Sequence, residues 1–456
     1  MSALQRADFP EGFSFGVATA AYQIEGAVTA DARVPSIWDT FTASPGTIEN
    51  GDTGEQACDH YHRYAEDVAD MRDLGIDAYR FSIAWPRILP PGGRPNSAGI
   101  AFYDRLLDEL LAAGITPWAT LYHWDLPQSL EDEGGWAARD TAYRFAEYAG
   151  VAAQAFGDRI SHWITLNEPW VSSFLGYASG LHAPGGTDHA AALAAAHHLM
   201  LGHGLALQSL RAARPAAHVG ITLNLTHVEG PDDRPLHAEA IRRADAITNR
   251  IFLDPLLRGR YPADMLSDTA HVTDHSYVLE GDLEIIRGTI DFLGVNYYSP
   301  LVVTSGAYPG SAAIGIADRR RPRSGMGWEI DPGGLTKTLT RVTRDYGPLP
   351  LVVTENGSAW PDVVSDDGAV HDPDRTAYLV AHLRACLDAI TEGVDLRGYF
   401  AWSLMDNFEW SHGYAQRFGL VHVDFATQRR TRKDSGDWYA GFLTTGRAAT
   451  MREASR

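Results

Sequence analysis

Eight short apolar segments, each followed by a stretch with helical periodicity, constrain the fold of this 456-residue chain more than any other feature of its sequence. Their nearly continuous apolar and aromatic composition is typical of strands that are covered on both faces. Strands that alternate with helices predict a parallel sheet with right-handed crossovers. The predicted strands lie at residues 13–19, 77–85, 116–124, 162–169, 218–226, 291–299, 350–357 and 396–406.

The helical stretches between these strands follow a regular pattern. Amphipathic segments at 59–75, 102–114 and 376–393 each end at a glycine that closely precedes a predicted strand, and glycine commonly ends helices. Eight strand–helix units close into a barrel, so the predicted fold class is α/β, a single (β/α)8 TIM barrel. The strands are unevenly spaced, and the extra residues are expected in long loops after the strands, where they form the mouth of the active site.

One of these long loops spans residues 304–332, and its basic run at 317–328 is expected to be solvated. No linker, repeat or shift in composition divides the chain. Residues 1–456 are therefore interpreted as one domain.

The charge balance limits the partners. With 38 basic and 58 acidic residues the net charge is −20, which argues against nucleic acid or an anionic membrane as a partner. No run of about 18 apolar residues predicts a membrane span. The N-terminal segment lacks an apolar stretch of signal-peptide length, so the cytoplasm is the expected location. The sequence leaves the oligomeric state open.

Motifs for metals and cofactors are also missing from the sequence. The two cysteines, Cys58 and Cys386, cannot build a disulfide framework or a CxxC metal site. There is no glycine-rich nucleotide fingerprint, P-loop or HExxH motif. The histidines of segment 196–204 lie on a predicted helix and are interpreted as packing residues. We therefore expect no cofactor and no metal.

Polar residues at the carboxyl ends of barrel strands point into the active site, whereas those elsewhere are usually structural. Several of the residues selected by this rule adjoin tryptophans or tyrosines, and aromatic faces beside carboxylates and amides suit a sugar. The rule selects the segment after Trp402 and the residues Arg80, His123, Asn167, Glu168, Asn296, Tyr298 and Glu355.

Two of these residues, Glu168 and Glu355, are the strongest candidates for chemistry. Each follows an apolar strand without an exposed face, where an unpaired charge is costly. Each also has an asparagine beside it as a neutral hydrogen-bonding neighbour. Two carboxyl groups that face each other across a barrel mouth suit glycosidic cleavage, which needs an acid for the leaving oxygen and a carboxylate for the anomeric carbon.

Eight motifs in this order resemble glycoside hydrolase family 1, the β-glucosidase family, and they cover nearly the whole chain. They are FSFGVATAAYQIEG (13–26), YRFSIAWPRI (79–88), YHWDLPQ (122–128), TLNEPW (165–170), FLGVNYYSP (292–300), VTENG (353–357), AWSLMDNFEW (401–410) and RFGLVHVD (417–424).

The resemblance implies a retaining β-glycosidase that acts by double displacement. It implies that Glu168 is the general acid and base and that Glu355 is the nucleophile. Tyr298 and Arg80 would keep Glu355 ionised, and Asn296 would support the nucleophile. Asn167 would hydrogen-bond the 2-hydroxyl of the sugar, a contact that strengthens in the transition state.

The resemblance also implies the substrate-binding residues. Trp402 would be the surface on which the sugar stacks. The other residues that bind the non-reducing sugar, called the glycone, would be Gln23, His123, Asn167, Glu409 and Trp410. The leaving-group side of the site would comprise Trp170, His182, Asn224 and Trp328.

The expected activity is hydrolysis of terminal β-D-glucosyl residues of cellobiose, short oligosaccharides and aryl or alkyl glucosides, with some action on β-galactosides and β-fucosides. Cellulose degradation is the expected context. A 6-phospho-β-glycosidase is the enzyme alternative, but a carboxylate at Glu409 repels phosphate. A plant-type thioglucosidase lacks the acid, whereas Glu168 is present. A non-catalytic sugar-binding relative would have lost a carboxylate, and both are present here.

Overall fold

The computed structural model describes residues 4–305 and 314–445. Its centre is a closed barrel of eight parallel strands in the order β1-β8-β7-β6-β5-β4-β3-β2. The predicted fold class is confirmed. The strands are β1 (Ser14–Ala18), β2 (Ala78–Ser82), β3 (Thr116–Tyr122), β4 (His162–Asn167), β5 (His218–Asn224), β6 (Phe292–Asn296), β7 (Leu351–Asn356) and β8 (Leu396–Trp402).

The barrel closes between its first and last strands. Ser14 of β1 is paired with Gly398 of β8, and on the other side of β1 Gly16 is paired with Ala78 of β2. Each strand lies inside its predicted segment but ends earlier than predicted. Trp124 and Glu168, predicted at strand ends, instead have φ values of 80° and 48°. This left-handed backbone ends the extended conformation.

A major helix follows each strand, and the glycine after the first, Gly75, has the left-handed conformation that commonly ends helices. The major helices are His60–Leu74, Ser97–Ala112, Asp140–Phe156, His189–Ala213, Ile251–Arg258, Pro332–Tyr346, Pro373–Thr391 and Asp434–Thr444. Shorter helices are Ala21–Ile24, Ile37–Thr42, Trp85–Ile88, Gln128–Asp132, Ala238–Asp245, Ala263–Thr269 and Asp282–Ile286.

The loop predicted at 304–332 contains short strands rather than a purely solvated segment. Leu301–Thr304 pairs with Val228–Glu229 and with Gly315–Ile316, while residues 306–313 lie outside the described residues. The expectation of a solvated basic run is wrong in part. Arg319 pairs with Glu229 at 2.5 Å and with Glu329 at 2.5 Å, and its side chain is only 10% exposed.

The helix His189–Ala213 is long and apolar enough to cross a membrane by length and composition, but 78% of that stretch is buried inside the fold. This burial is that of a core helix. On this helix, His197, His198 and His203 hydrogen-bond within the core. His197 Nε2 lies 2.9 Å from Asp282, and His203 Nδ1 lies 2.7 Å from the Thr165 hydroxyl.

Aromatic rings fill the barrel interior below the site. The ring of Trp118 on β3 lies 5.2 Å from the rings of both Phe292 on β6 and Phe400 on β8. Gly16 on β1 makes room for this layer, because a Cβ there would lie 2.5 Å from the ring of Phe400. The layer forms a rigid floor beneath the residues at the carboxyl ends of the strands.

We predict that Phe400→Ala lowers the free energy of unfolding by about 3–5 kcal/mol, because it removes a fully buried ring and leaves a cavity. Urea unfolding at neutral pH measures the loss. Leu111→Ala is the control, since Leu111 is 44% exposed and should lose less than about 0.5 kcal/mol. A loss below about 1 kcal/mol for Phe400→Ala would contradict the claim that the aromatic layer stabilises the barrel.

Candidate active site

The polar residues selected from the sequence converge at the carboxyl end of the barrel. Arg80 lies within β2, Asn167 ends β4, Asn296 ends β6 and Glu355 lies one residue before the end of β7. All four side chains are buried. Parallel strands of a barrel end at the same rim, so residues that are far apart in the chain come into contact there.

Arg80 connects four strands through one guanidinium group. Its Nη1 donates to Oε1 of Glu355 at 2.6 Å and to the carbonyl oxygen of Thr354 at 2.9 Å. Its Nη2 donates to Oδ1 of Asn167 at 2.6 Å, and its Nε donates to the Thr120 hydroxyl at 3.2 Å. The planar arrangement of these donors suits several fixed acceptors at once.

Both oxygens of Glu355 accept a hydrogen bond. Arg80 donates to Oε1, and the hydroxyl of Tyr298 donates to Oε2 at 2.7 Å. Burial, followed by the charge of Glu355, raises the pKa of Tyr298 well above its usual value, so the phenol keeps its proton. A cation and a hydrogen-bond donor both favour the carboxylate form. Glu355 is therefore placed as an ionised group with a fixed orientation.

Glu168 is held differently. Its backbone has φ of 48° immediately after β4, and its amide donates to the carbonyl oxygen of Thr222 at 3.0 Å. The amide of Asn296 donates to Oε1 of Glu168 at 2.6 Å. No cation contacts the Glu168 carboxyl group within the described residues. Since Oε1 accepts from Asn296, Oε2 is left to carry a proton.

Burial and the nearby charge of Glu355 raise the pKa of Glu168 to about 8, against the opposing effects of Asn296 and Arg80. The site therefore holds two carboxyl groups in different protonation states at neutral pH. Environments that separate the pKa values of paired acids in this way are typical of acid–base catalysis.

A third carboxyl group lies on the segment after β8. Glu409 is 9% exposed, and its described donor is Gln23 Nε2 at 3.4 Å. That amide group also donates to Asn407 Oδ1 at 3.0 Å and to the carbonyl oxygen of Phe408 at 2.8 Å. Burial, with a smaller effect of Glu355, raises the pKa of Glu409 to about 8. Oε1 of Gln23 is buried without a partner among the described residues.

Aromatic rings form the walls of the site. The centre of the His123 imidazole lies 5.9 Å from the ring centres of both Trp402 and Trp410, and it is nearly parallel to both rings. Burial and the charge of Arg80 lower the pKa of His123 well below its usual value. The ring is therefore neutral. Its Nε2 lies 3.1 Å from the amide nitrogen of Asn167, and its Nδ1 is buried without a partner in the described part of the chain.

The residues predicted for the leaving-group side have fewer described contacts with the central cluster of polar residues. Trp328 is half-buried, with its ring 5.3 Å from that of Tyr298. The rings of His182 and Trp124 are 5.6 Å apart. Trp170 is half-buried, with Nε1 buried and unpartnered within residues 4–305 and 314–445. Asn224 ends β5 in register with Asn296.

Some residues of the cluster were not named individually as candidates from the sequence. Thr120 accepts from Arg80, Asn407 accepts from Gln23, and Trp124 donates from Nε1 to the carbonyl oxygen of Asn167 at 2.9 Å. Two of them lie in motifs that the sequence analysis quoted. Thr120 had a weaker signal, a hydroxyl inside an otherwise apolar strand.

Among the described residues, no group of three His, Cys, Asp or Glu side chains is arranged to hold a metal. The side chains of the site supply several kinds of functional group. These are two carboxyl groups of opposite protonation state, a third carboxyl group, several amides and a set of aromatic faces.

The model of glycosyl hydrolase family 1 matches residues 5–447 of this chain. The chain belongs to glycosyl hydrolase family 1. The resemblance predicted from the motifs is thus confirmed.

Two relatives illustrate the similarity. The bifunctional β-D-glucosidase/β-D-fucosidase of Bifidobacterium breve is 50% identical, over 95% of this chain and 98% of its own. The thermostable β-glucosidase B of Thermobispora bispora is 53% identical, over 94% of this chain and 89% of its own. Among solved structures, the family 1 β-glucosidase of Thermotoga maritima superposes with a TM-score of 0.93 at 47% identity, covering 97% of this chain and 99% of its own.

We predict that Glu355→Gln lowers the pKa of Glu168 from about 8 towards, but not to, its ordinary value of 4.5. Removing the neighbouring charge removes one cause of the shift, whereas burial remains. Carbon NMR of the labelled glutamate carboxyls measures the change. Glu409→Gln is the matched control and should lower the pKa less. An unchanged pKa in Glu355→Gln would contradict the coupling.

Proposed function

We propose that the protein is a retaining β-glucosidase, with Glu168 as general acid and base and Glu355 as nucleophile. The observation that carries the proposal is the contrast between the two carboxyl groups. Arg80 and Tyr298 hold Glu355 as a carboxylate, whereas burial and the Glu355 charge keep Glu168 protonated at neutral pH. Retaining cleavage needs this pair of states at its start.

In the first step, a carboxylate oxygen of Glu355 attacks the anomeric carbon as Glu168 transfers its proton to the glycosidic oxygen. The bond to the leaving group breaks, the alcohol departs, and an α-linked glycosyl-enzyme forms. The esterified Glu355 no longer carries a charge. Without that nearby negative charge the ionised form of Glu168 is less disfavoured, so the pKa of Glu168 falls and the residue can act as a base.

In the second step, Glu168 accepts a proton from water, and the resulting oxygen nucleophile attacks the anomeric carbon. The ester bond to Glu355 breaks, and the product leaves as the β-anomer. Glu168 is protonated again, and Glu355 returns to its hydrogen bonds with Arg80 and Tyr298. Two inversions at one carbon give net retention.

The glucosyl residue is recognised by hydrogen-bonding groups that the described residues leave available. Oδ1 of Asn167 is occupied by Arg80 and Asn296. One hydrogen of its Nδ2 is directed to Nε2 of His123, 3.1 Å away, which leaves the second hydrogen for the 2-hydroxyl. His123, Gln23 and Glu409 supply polar groups for the other hydroxyls. Trp402 supplies the apolar surface for the sugar ring.

Glu409 argues against the 6-phospho-β-glycosidase alternative. A buried carboxyl group on the side of the 4- and 6-hydroxyls can hydrogen-bond to those hydroxyls, but it does not supply the cationic partner that a bound phosphate needs. The non-catalytic alternative is opposed by the presence of both Glu168 and Glu355 with their complete set of partners. Action on β-fucosides is part of the proposal, since the Bifidobacterium breve relative is described as both a glucosidase and a fucosidase.

The remaining expectations from the sequence are also proposals. We propose one catalytic domain over residues 1–456, small β-glucosides as substrates, a role in cellulose degradation, location in the cytoplasm, and no nucleic-acid partner. The net charge of −20 supports the last of these.

The proposal predicts that the protein releases nitrophenol from 4-nitrophenyl β-glucoside and that β-glucose is the first anomer formed. Proton NMR of the fresh reaction, before mutarotation, measures the anomer. A parallel assay with 4-nitrophenyl β-glucoside 6-phosphate should give a kcat/KM lower by at least about tenfold. First appearance of α-glucose would contradict retention, and preference for the phosphorylated substrate would contradict the glucosidase.

A further inference from the structure

A group of buried charges lies directly behind the segment that carries Glu409. Asp406, three residues before Glu409, is completely buried. Its Oδ1 accepts from Lys433 Nζ at 2.6 Å and from the amide of Gly419 at 3.0 Å. Its Oδ2 accepts from Arg417 Nη1 at 2.6 Å. Both oxygens of this carboxylate therefore accept from at least one donor.

The same charges extend away from the site. Lys433 Nζ also contacts Asp362 Oδ2, and Arg375 donates to Asp362 at 2.6 Å and pairs with Asp372. The side chains of Lys433 and Arg375 are 0% and 1% exposed. Three cations and three carboxylates thus form one charge-balanced group, which we call the Asp406 network: Asp362, Asp372, Arg375, Asp406, Arg417 and Lys433.

Burial of these charges is costly, and packing alone does not require them. Burial lowers the pKa of Lys433, although the neighbouring carboxylates oppose the shift. Replacing a buried ion pair by apolar residues is often neutral or stabilising, so such pairs are weak devices for stability. Their better-attested use is to specify one arrangement of the groups around them.

The groups arranged here belong to residues 402–410, which include Trp402, Glu409 and Trp410 and which we call the sugar-binding segment. Asn407 follows Asp406 directly, and its Nδ2 donates to Ser403 Oγ at 3.0 Å. Its Oδ1 accepts from Gln23 Nε2 at 3.0 Å, the same amide nitrogen that lies 3.4 Å from Glu409. The path from Lys433 to Glu409 therefore runs through Asp406, Asn407 and Gln23 without a gap.

We propose that Lys433 is a positioning residue for sugar recognition, which acts by clamping Asp406 so that Asn407 and Glu409 face the 4- and 6-hydroxyl side of the glycone. The proposal rests on the glucosidase function given above. Lys433 does not touch the substrate. It is one of only two lysines in a chain with 38 basic residues, and its compact ammonium bridges two carboxylates where the larger planar head of arginine would need more room.

The test compares substrates that differ only on the side that Glu409 faces. Lys433→Met is expected to lower kcat/KM for 4-nitrophenyl β-glucoside at least about fivefold more than for 4-nitrophenyl β-xyloside, which lacks the hydroxymethyl group. The two substrates share a leaving group, so effects on Glu168 and Glu355 cancel in the ratio. Asp406→Asn, which keeps the shape of the side chain, should shift the ratio in the same direction.

Two control variants separate positioning from general destabilisation. Lys337→Met makes the same chemical change at the other lysine, whose side chain is 56% exposed, and should leave the ratio unchanged. Arg139→Met removes a cation from the buried carboxylate of Asp282, away from the sugar-binding segment. It should lower stability and leave the ratio unchanged.

The outcomes are distinct. Equal loss for both substrates in Lys433→Met and in Asp406→Asn would overturn the proposal, as would failure of both variants to fold, because the network would then serve stability alone.

Glu409→Gln is the reference for the proposed function. If it leaves the glucoside-to-xyloside ratio unchanged, the assignment of the sugar site is wrong. If it changes the ratio while the two network variants do not, only the role of Lys433 is wrong.

Discussion

The rest of the site depends on the ion pair between the guanidinium of Arg80 and the carboxylate of Glu355. Among the described residues, Arg80 is the cation that forms an ion pair with a carboxyl group of the central cluster, that of Glu355. Glu168 and Glu409, the two other acids of the site, are buried and have no such partner in the described part of the chain. Burial and the charge of Glu355 raise the pKa of both to about 8. One cation among three buried acids therefore decides which of them is ionised at neutral pH.

This imbalance of charge separates the roles of chemically identical side chains. A carboxylate with two donors is oriented and ready to attack a carbon, whereas a protonated carboxyl beside it can give up its proton to a leaving oxygen. The barrel supplies the positions. Arg80 lies on β2, Asn167 on β4, Asn296 on β6 and Glu355 on β7, and the aromatic layer packs inside the barrel below them.

The sequence predicted much of the fold because the strands are buried on both faces and are therefore apolar throughout. It also predicted the central residues, because the chemistry of a barrel lies where apolar strands end. The early strand ends at Trp124 and Glu168 were not predictable, since non-glycine residues rarely adopt positive φ.

Ion pairs between distant parts of the chain were likewise beyond the sequence. The basic run looked solvated because Arg319 and its partner Glu229 are 90 residues apart. Lys433 and Asp406 are 27 residues apart, and nothing in the sequence indicated that they are in contact. Pairing of this kind is decided by the loops that cover the barrel, whose paths do not follow from periodicity.

The assignment of Glu168 and Glu355 to separate roles is tested most directly by azide rescue of two variants. Glu168→Ala should still form the glycosyl-enzyme from dinitrophenyl β-glucoside, whose leaving group departs without a proton, and azide should then give the β-glucosyl azide by a second inversion. Glu355→Ala cannot form the intermediate. Azide that enters the vacated space should give the α-azide by a single inversion. The reverse pairing of anomers would contradict the account and exchange the two roles.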